Sequence, residues 1–278
     1  AIGETTALTS LTINSDGAGT IEVANIGDGS GVGVSGATAI GNTSTTTLTL
    51  DGTVYKTTGA QVYTATGGDN IDITNTSNAA FTTTNTAITF GTANIELANG
   101  VDLTLDSGAG AGDITLVSID GHSDEAVTID AGTGTTSVGA IGAGTEIGAV
   151  TIGSAQNGGI TLNGAITTTG AVSLDGPVSL ATGAITVDSS AGNGDISFLH
   201  TIDGAQNLTL SSGSGAVDVN GIIGSTTAIG TLTVNASGTG TIAIEQIGDG
   251  DPASGSLGAT IGNTGTVNNT GTVTILAS

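Results

Sequence analysis

The sequence predicts an all-β fold, a right-handed parallel β-helix (β-solenoid) with coils of about 20–22 residues and little or no helix. Three observations predict it. Aliphatic and hydroxylated residues alternate along the whole chain, long segments recur at fixed offsets, and large side chains are almost missing.

The alternation comes first. SLTIN (10–14), TIEVA (20–24), TLTLDG (47–52), VDLTLDSG (101–108), AVTIDAG (126–132), GAVSLDG (170–176), NLTLSSG (207–213) and GTLTVNASG (230–238) share one grammar. Apolar residues stand at i and i+2 with Thr, Ser or Asp between, and Gly, Asn or Asp follows. That is the period of a half-buried strand closed by a turn. No window keeps the i, i+3, i+4, i+7 spacing of a helix.

The repeats decide how the strands are assembled. Residues 1–43 return at 222–264 with 21 identities in 43 positions, and VDLTLDSGAGAGDITL (101–116) returns as GAITVDSSAGNGDISF (183–198). Gly3 thus recurs as Gly224, and Asp113 as Asp195. Fixed-period repetition without helices or aromatic blade signatures points to a solenoid rather than a propeller. Coils of roughly 20–22 residues fit about four times into the shorter displacement and about ten or eleven times into the longer one. About thirteen coils at ~4.8 Å would give a rod on the order of 60 Å long. Residues 1–278 therefore read as a single continuous solenoid of imperfect repeats. Asn99-Gly100, Asn163-Gly164, Asn193-Gly194 and Asn220-Gly221 are its expected corners, although the same pairs would read as hairpin turns in an antiparallel fold.

Composition agrees with a thin, regular core. There are 49 Gly, two Pro, no Trp, Met or Cys, and aromatic residues make up 2% of the chain. Mean hydropathy is positive and only 9% of residues are charged, the reverse of a disordered chain. Without cysteine there is neither a disulfide framework nor a thiolate metal site. With 24 acidic residues against the single Lys56, the formal net charge is −23. Nucleic acid is thereby excluded as a partner, because binding it requires Lys and Arg against phosphate. Membrane insertion of this segment is not expected, since no apolar run approaches the ~20 residues of a spanning helix. A chain that begins at Ala1 and has no Met reads as an excerpt or a processed product, with targeting segments elsewhere.

Residues 52–92 stand apart. They hold Tyr55, Tyr63, Phe81 and Phe90, four of the five aromatics, together with Lys56. Either a wider coil with a larger core or a small insertion offering a binding surface accounts for them.

The chain is not expected to be an enzyme. A lyase acting on acidic polysaccharide needs basic residues that Lys56 alone does not supply. Asp69 with Asp72, Asp124 with Glu125, and Asp249 with Asp251 are the carboxylate pairs a glycoside hydrolase would need, but they lie in or beside turns. His122 and His200 fall in no nucleophile motif. No cofactor is expected, with one opening for Ca²⁺, which favours hard oxygen ligands on Gly-rich turns. Asp28, Asp69, Asp72, Asp249 and Asp251 are the weak candidates for it, in GDGS (27–30), GGDNID (67–72) and GDGDP (248–252). The Thr runs TTTLTL (45–50) and TTTNT (82–86) suggest hydroxyl arrays of the kind an ice-binding solenoid carries, while Thr is also an ordinary outward strand residue.

The grammar of GGITLNGAITTTGAVSLDG (158–176), DGAQNLTLSSGSGAVDVNGIIG (203–224) and TTAIGTLTVNASGTGTI (226–242) resembles the repeat regions of filamentous haemagglutinin-like exoproteins, giant bacterial surface adhesins. The resemblance covers essentially the whole chain and rests on repeat style. It implies a right-handed β-helix shaft, an extracellular or bacterial cell-surface location, and a role in adhesion or surface architecture. The family's secretion domain is not seen, and no functional residue carries over. The expected function is a stiff structural or adhesive segment of an extracellular fibre. The alternative is a self-assembling filament or surface-layer-like subunit stacking end to end. The expected partners are other copies or flanking repeats, and glycans of host or neighbouring cells.

Overall fold

The computed structural model describes residues 1–66, 71–153, 158–248, 256–261 and 273–275. Among them, 27 strands form one hydrogen-bonded sheet, and no helix occurs. The pairings are parallel throughout. Parallel neighbours need a crossover between them. Here each crossover consists of strands on the other faces, so the chain winds into a β-solenoid of about ten turns. At ~4.8 Å per turn its length is ~48 Å.

Three faces follow one another in fixed order. Face 1 starts with Leu11–Ile13 and continues through Thr38–Ile40, Gln61–Thr64 and the first half of Ile88–Leu97. Face 2 starts with Gly19–Val23 and continues through Thr45–Leu50, Ile71–Ile73 and the second half of Ile88–Leu97. Face 3 starts at Ile26 and continues through Val54–Lys56, Ala79–Thr82, Leu103–Asp106, Ala126–Asp130 and Ala149–Gly153.

Alternation in sequence becomes alternation in burial because successive side chains of a strand point to opposite sides. On face 3 one inward column runs Ile26, Tyr55, Phe81, Leu105, Ile129, Ile152, Leu174, Phe198, Val219, Ile244, each paired with the next. All ten are buried. On face 2 the matching column is Ile21, Leu48, Ile71, Ile95, Ile119, Ile141, Ile166, Val187, Leu210, Val234. Each such side chain removed from water stabilises the fold by about 1.5–3 kcal/mol before entropy is counted. No face depends on long-range packing of a different kind, so the core is a repeated local device.

Turn length varies more than the strands do. The winding from Leu11 to Thr38 is half as long again as the winding from Ile160 to Val178. Nine windings join Leu11 to Ile223, and their mean length exceeds the expected coil of roughly 20–22 residues. The extra length lies in corners such as the Gly-rich stretch between Ile26 and Val34, which adds residues without adding strand. There are correspondingly about ten windings rather than thirteen.

The long repeats do not span whole windings. Leu11 lies on face 1, whereas its counterpart Leu232 lies on face 2, nine and one-third windings on. Leu103 lies on face 3 and its counterpart Ile185 on face 2, three and two-thirds windings on. The repeating unit is therefore one strand with its turn, and the three faces share one grammar.

The aromatic residues of 52–92 are inside. Tyr55 and Phe81 stack with centroids 4.3 Å apart, Tyr63 and Phe90 at 4.8 Å, and the two pairs meet edge to face. Their polar tips are satisfied: Tyr55 donates to Val23 O at 3.0 Å, and Tyr63 donates to Gln61 Oε1 at 2.9 Å. Burial pushes both phenol pKa values upward.

Candidate functional site

With the inward positions committed to the core, any function lies on the outward rows and at the corners. Three rows are hydroxylated; on face 2, Thr186, Thr209 and Thr233 stand over one another. On face 3, Thr104, Thr128, Thr151, Ser173 and Ser197 stand over one another on consecutive windings. On face 1, Thr89, Thr115, Ser137, Thr161 and Ser179 do the same. All but Thr89, Ser137 and Ser197 are the central residue of an aliphatic–hydroxyl–aliphatic triplet, and that triplet was the signal that could have located them. The runs at 45–50 and 82–86 do not extend into such rows: Thr49 has Glu22 below it and Asp72 above, and Thr82 lies between Lys56 and Asp106. Two shallow open grooves flank the face 1 row. One, about 400 Å³, is lined by Thr161, Ser179, Asp203 and Thr227, and the other, about 440 Å³, by Thr115, Val117, Ser137 and Asn163.

The strongest electrostatic feature is a carboxylate ladder on face 2. Asp72, Glu96 and Asp120 lie directly above one another on successive windings and are evenly spaced along the chain. Partial burial raises the pKa of Asp72. Partial burial raises that of Glu96 as well, Asp120, Asp72 and Glu125 push it further, and His122 opposes them. Asn94 bridges the ladder, donating through Nδ2 to Asp120 Oδ2 at 3.1 Å and Glu96 Oε2 at 3.5 Å. Sequence reasoning missed the ladder, because its spacing becomes visible only when the length of the local windings is known.

At the next corner Glu125 is fully buried. It accepts from the N–H of Gly100 at 3.1 Å and of His122 at 2.6 Å. Burial alone would raise its pKa, but these donors outweigh burial and hold it low. Asp124, hydrogen-bonded to the Glu125 carboxylate, is raised in turn. This pair holds a corner closed. His122 Nδ1 lies 3.0 Å from Leu97 O, and His200 Nε2 lies 3.1 Å from Asp175 Oδ1, both histidines being exposed.

Of the acidic turn residues singled out from the sequence, Asp28 and Asp72 are far apart in the winding. Asp28 follows Ile26 at a corner and accepts from Gly31 N at 2.6 Å, Ser30 N at 3.0 Å and Ser30 Oγ at 2.8 Å. Gly31 N above all, with the two Ser30 donors, lowers its pKa. Asp72 stands in the face 2 ladder. Asp69, Asp249 and Asp251 lie outside the described residues. Among the described residues, no group of three or more His, Asp or Glu converges to hold a metal ion. No helix there is long and apolar enough to cross a membrane.

Inter-turn capping by Asp and Asn is the most regular polar device. Asp102 Oδ1 accepts from Ala126 N at 2.7 Å, Asp113 Oδ1 from Thr135 N at 2.8 Å, and Asp195 Oδ1 from Ala216 N at 2.7 Å. Asp203 Oδ1 accepts from Thr226 N and Thr227 N at 2.7 and 3.0 Å. In each case a side chain reaches to the backbone of the next winding, so much of the negative charge is spent on closing corners. No family model, curated protein or solved structure matches this chain.

Proposed function

We propose that the chain is a stiff structural or adhesive segment of an extracellular bacterial fibre, similar in kind to the shafts of filamentous haemagglutinin-like adhesins. The observation that carries the reading is the unbroken inward column from Ile26 to Ile244. A shaft needs lateral stiffness along one axis, and a column of stacked aliphatic residues with continuous parallel hydrogen bonding supplies it without disulfides. The net charge of −23 keeps such a rod dispersed, and outward hydroxyl rows offer hydrogen bonds to glycans on neighbouring surfaces.

The test is antibody labelling of intact source cells combined with the mass of the native polypeptide. Surface labelling on a chain far larger than 26.2 kDa is expected for a shaft. Labelling only after lysis overturns the extracellular reading. A surface chain of 26.2 kDa supports instead the stacking-subunit reading.

A further inference from the structure

The chain carries four Asn-Gly pairs: Asn99-Gly100, Asn163-Gly164, Asn193-Gly194 and Asn220-Gly221. Such a pair can react with itself. Once the glycine amide nitrogen loses its proton to hydroxide, it can attack the asparagine Cγ, and glycine has no side chain to block the approach. All four asparagines are exposed, so access of solvent does not separate them. The state of the glycine amide and the local charge do.

Gly100 N donates to Glu125 Oε1 at 3.1 Å, and Gly194 N donates to Ser189 O at 3.0 Å. A bonded N–H gives up its proton only when the bond opens. Asn193 is held further by Ser214 N, which donates to its Oδ1 at 2.9 Å. Asn220 and Gly221 lie inside the strand Val217–Ile223, and Asn220 Nδ2 donates to Asp218 Oδ2 at 3.3 Å. Each of these three pairs therefore has a carboxylate beside it, Glu125, Asp195 or Asp218, and negative charge repels hydroxide.

Asn163-Gly164 differs on both counts. Gly164 lies between the strands Gly159–Leu162 and Ile166–Thr167, and its N–H has no acceptor among the described residues. The groove at this corner is lined by Thr115, Leu116, Val117, Ser137, Gly139 and Ala140, none of them charged. Space also demands glycine there, since a Cβ on Gly164 would stand 2.5 Å from Ala140 N. The Asn163 side chain donates through Nδ2 to Ser137 Oγ at 3.0 Å and to Val138 O at 3.4 Å.

We propose that Asn163-Gly164 is the site at which the native chain deamidates. Hydroxide takes the Gly164 N–H proton and the nitrogen bonds to Asn163 Cγ. The Cγ–Nδ2 bond breaks, and Nδ2 leaves as ammonia with one proton from water. A second water opens the succinimide ring at either carbonyl, giving aspartate or isoaspartate at position 163. The donor to Ser137 Oγ and Val138 O is then lost, a negative charge enters a neutral groove, and isoaspartate adds one backbone atom to the winding before Ile166. The corner thus carries a one-way chemical record of the age of the molecule. This goes beyond the shaft reading and does not depend on it.

Peptide mapping of the full-length chain tests it. The chain is held in mildly alkaline buffer and digested with pepsin in acid, which stops the reaction. Mass spectrometry then scores conversion at each Asn-Gly pair. Asn163 is expected to convert ahead of Asn220 and about tenfold faster than Asn99 or Asn193, the factor that one net hydrogen bond on the glycine amide supplies. In urea strong enough to unfold the chain all four glycine amides are free, and the four rates are expected to converge. Asn163→Gln, whose longer side chain closes the ring poorly, is expected to keep the native circular dichroism and to abolish the fast phase of ammonia release. A native chain in which Asn163 is not the first to convert, a lead for Asn163 that survives undiminished in urea, or a fast phase that persists in Asn163→Gln overturns the proposal.

Discussion

Phe81 lies flat over Tyr55, one winding up, with the ring planes 4° from parallel and the centroids 4.3 Å apart. Elsewhere on that column an aliphatic side chain or a single Phe suffices. Phe81→Ala is therefore expected to cost about 3–5 kcal/mol, the range for a buried aromatic truncated to Ala. Phe198, stacked between Leu174 and Val219, lacks an aromatic neighbour in its column. Phe198→Ala is expected to cost less by the ring–ring contribution of about 0.5–1.5 kcal/mol. Urea denaturation of both variants measures the difference.

At the bend between faces 1 and 2, Gly139 is required by space rather than by φ. A Cβ on Gly139 would stand 1.7 Å from Val117 O, whereas one on Gly17, at φ 72°, meets nothing within 4 Å. Gly139→Ala is expected to cost ~3 kcal/mol or more by forcing two windings apart. Gly17→Ala is expected to cost about 1–2 kcal/mol, the left-handed backbone penalty alone. Equal losses in Tm would contradict this account of the bend.

Acid is expected to loosen the corners first. Burial tends to raise the pKa of Asp203, but the N–H groups of Thr227 and Thr226 and the hydroxyl of Ser225 outweigh it and hold it below the ordinary 3.8. A carboxylate with a lowered folded pKa contributes stability that is fully present above its unfolded value and lost as pH falls through the folded one. Titration below pH 3.8 should therefore destabilise the native chain more than Asp203→Asn, which has no such proton to gain. Hydrogen exchange at Thr226 and Thr227 reports it locally.

The face 2 ladder predicts the opposite sign. Asp72 and Glu96 are raised in the folded state, so ionising them opposes folding, and their penalty appears as pH rises through the raised values. Glu96→Gln is expected to raise the Tm at pH 7, to do so less at high salt, and to lose its advantage at a pH where Glu96 is protonated in both states. A lowered Tm at pH 7 would show that the ladder is stabilised by something other than its own side chains.

Glu125 is a buried anion serving two backbone donors. Glu125→Ala leaves the N–H groups of Gly100 and His122 without this acceptor and is expected to cost about 2–3 kcal/mol. Glu125→Gln keeps an acceptor oxygen and should recover part of that loss. Thermal denaturation of the pair of variants checks the order.

The solenoid was legible in the sequence because period-two alternation recurs along the chain, no helical period competes with it, and long segments return at fixed offsets. The triplets around Thr104, Thr128 and Thr151 already specify which residue faces out. Winding length was less legible, because corners absorb insertions freely: the same face 1 step is half as long again at Leu11 as at Ile160. Strand grammar common to all faces hid the rotation as well. Leu11 and Leu232 look like members of one column, and only the intervening registers place them on different faces. The carboxylate ladder depends on that same winding length, so it stayed hidden with it. Asp28, a weak Ca²⁺ candidate by sequence, caps its own turn through partners within three residues.

Spin-label separations along one outward row measure the winding most directly. Val54, Thr128, Ser173 and Asp218 belong to a single face 3 row, with Thr128, Ser173 and Asp218 three, five and seven windings above Val54. Labels at Val54 paired with each of the others should give backbone separations near ~14, ~24 and ~34 Å, rising linearly. Separations that fail to grow with winding number, or that fall between Ser173 and Asp218, would mean that strands turn back on themselves, contradicting turn-on-turn stacking.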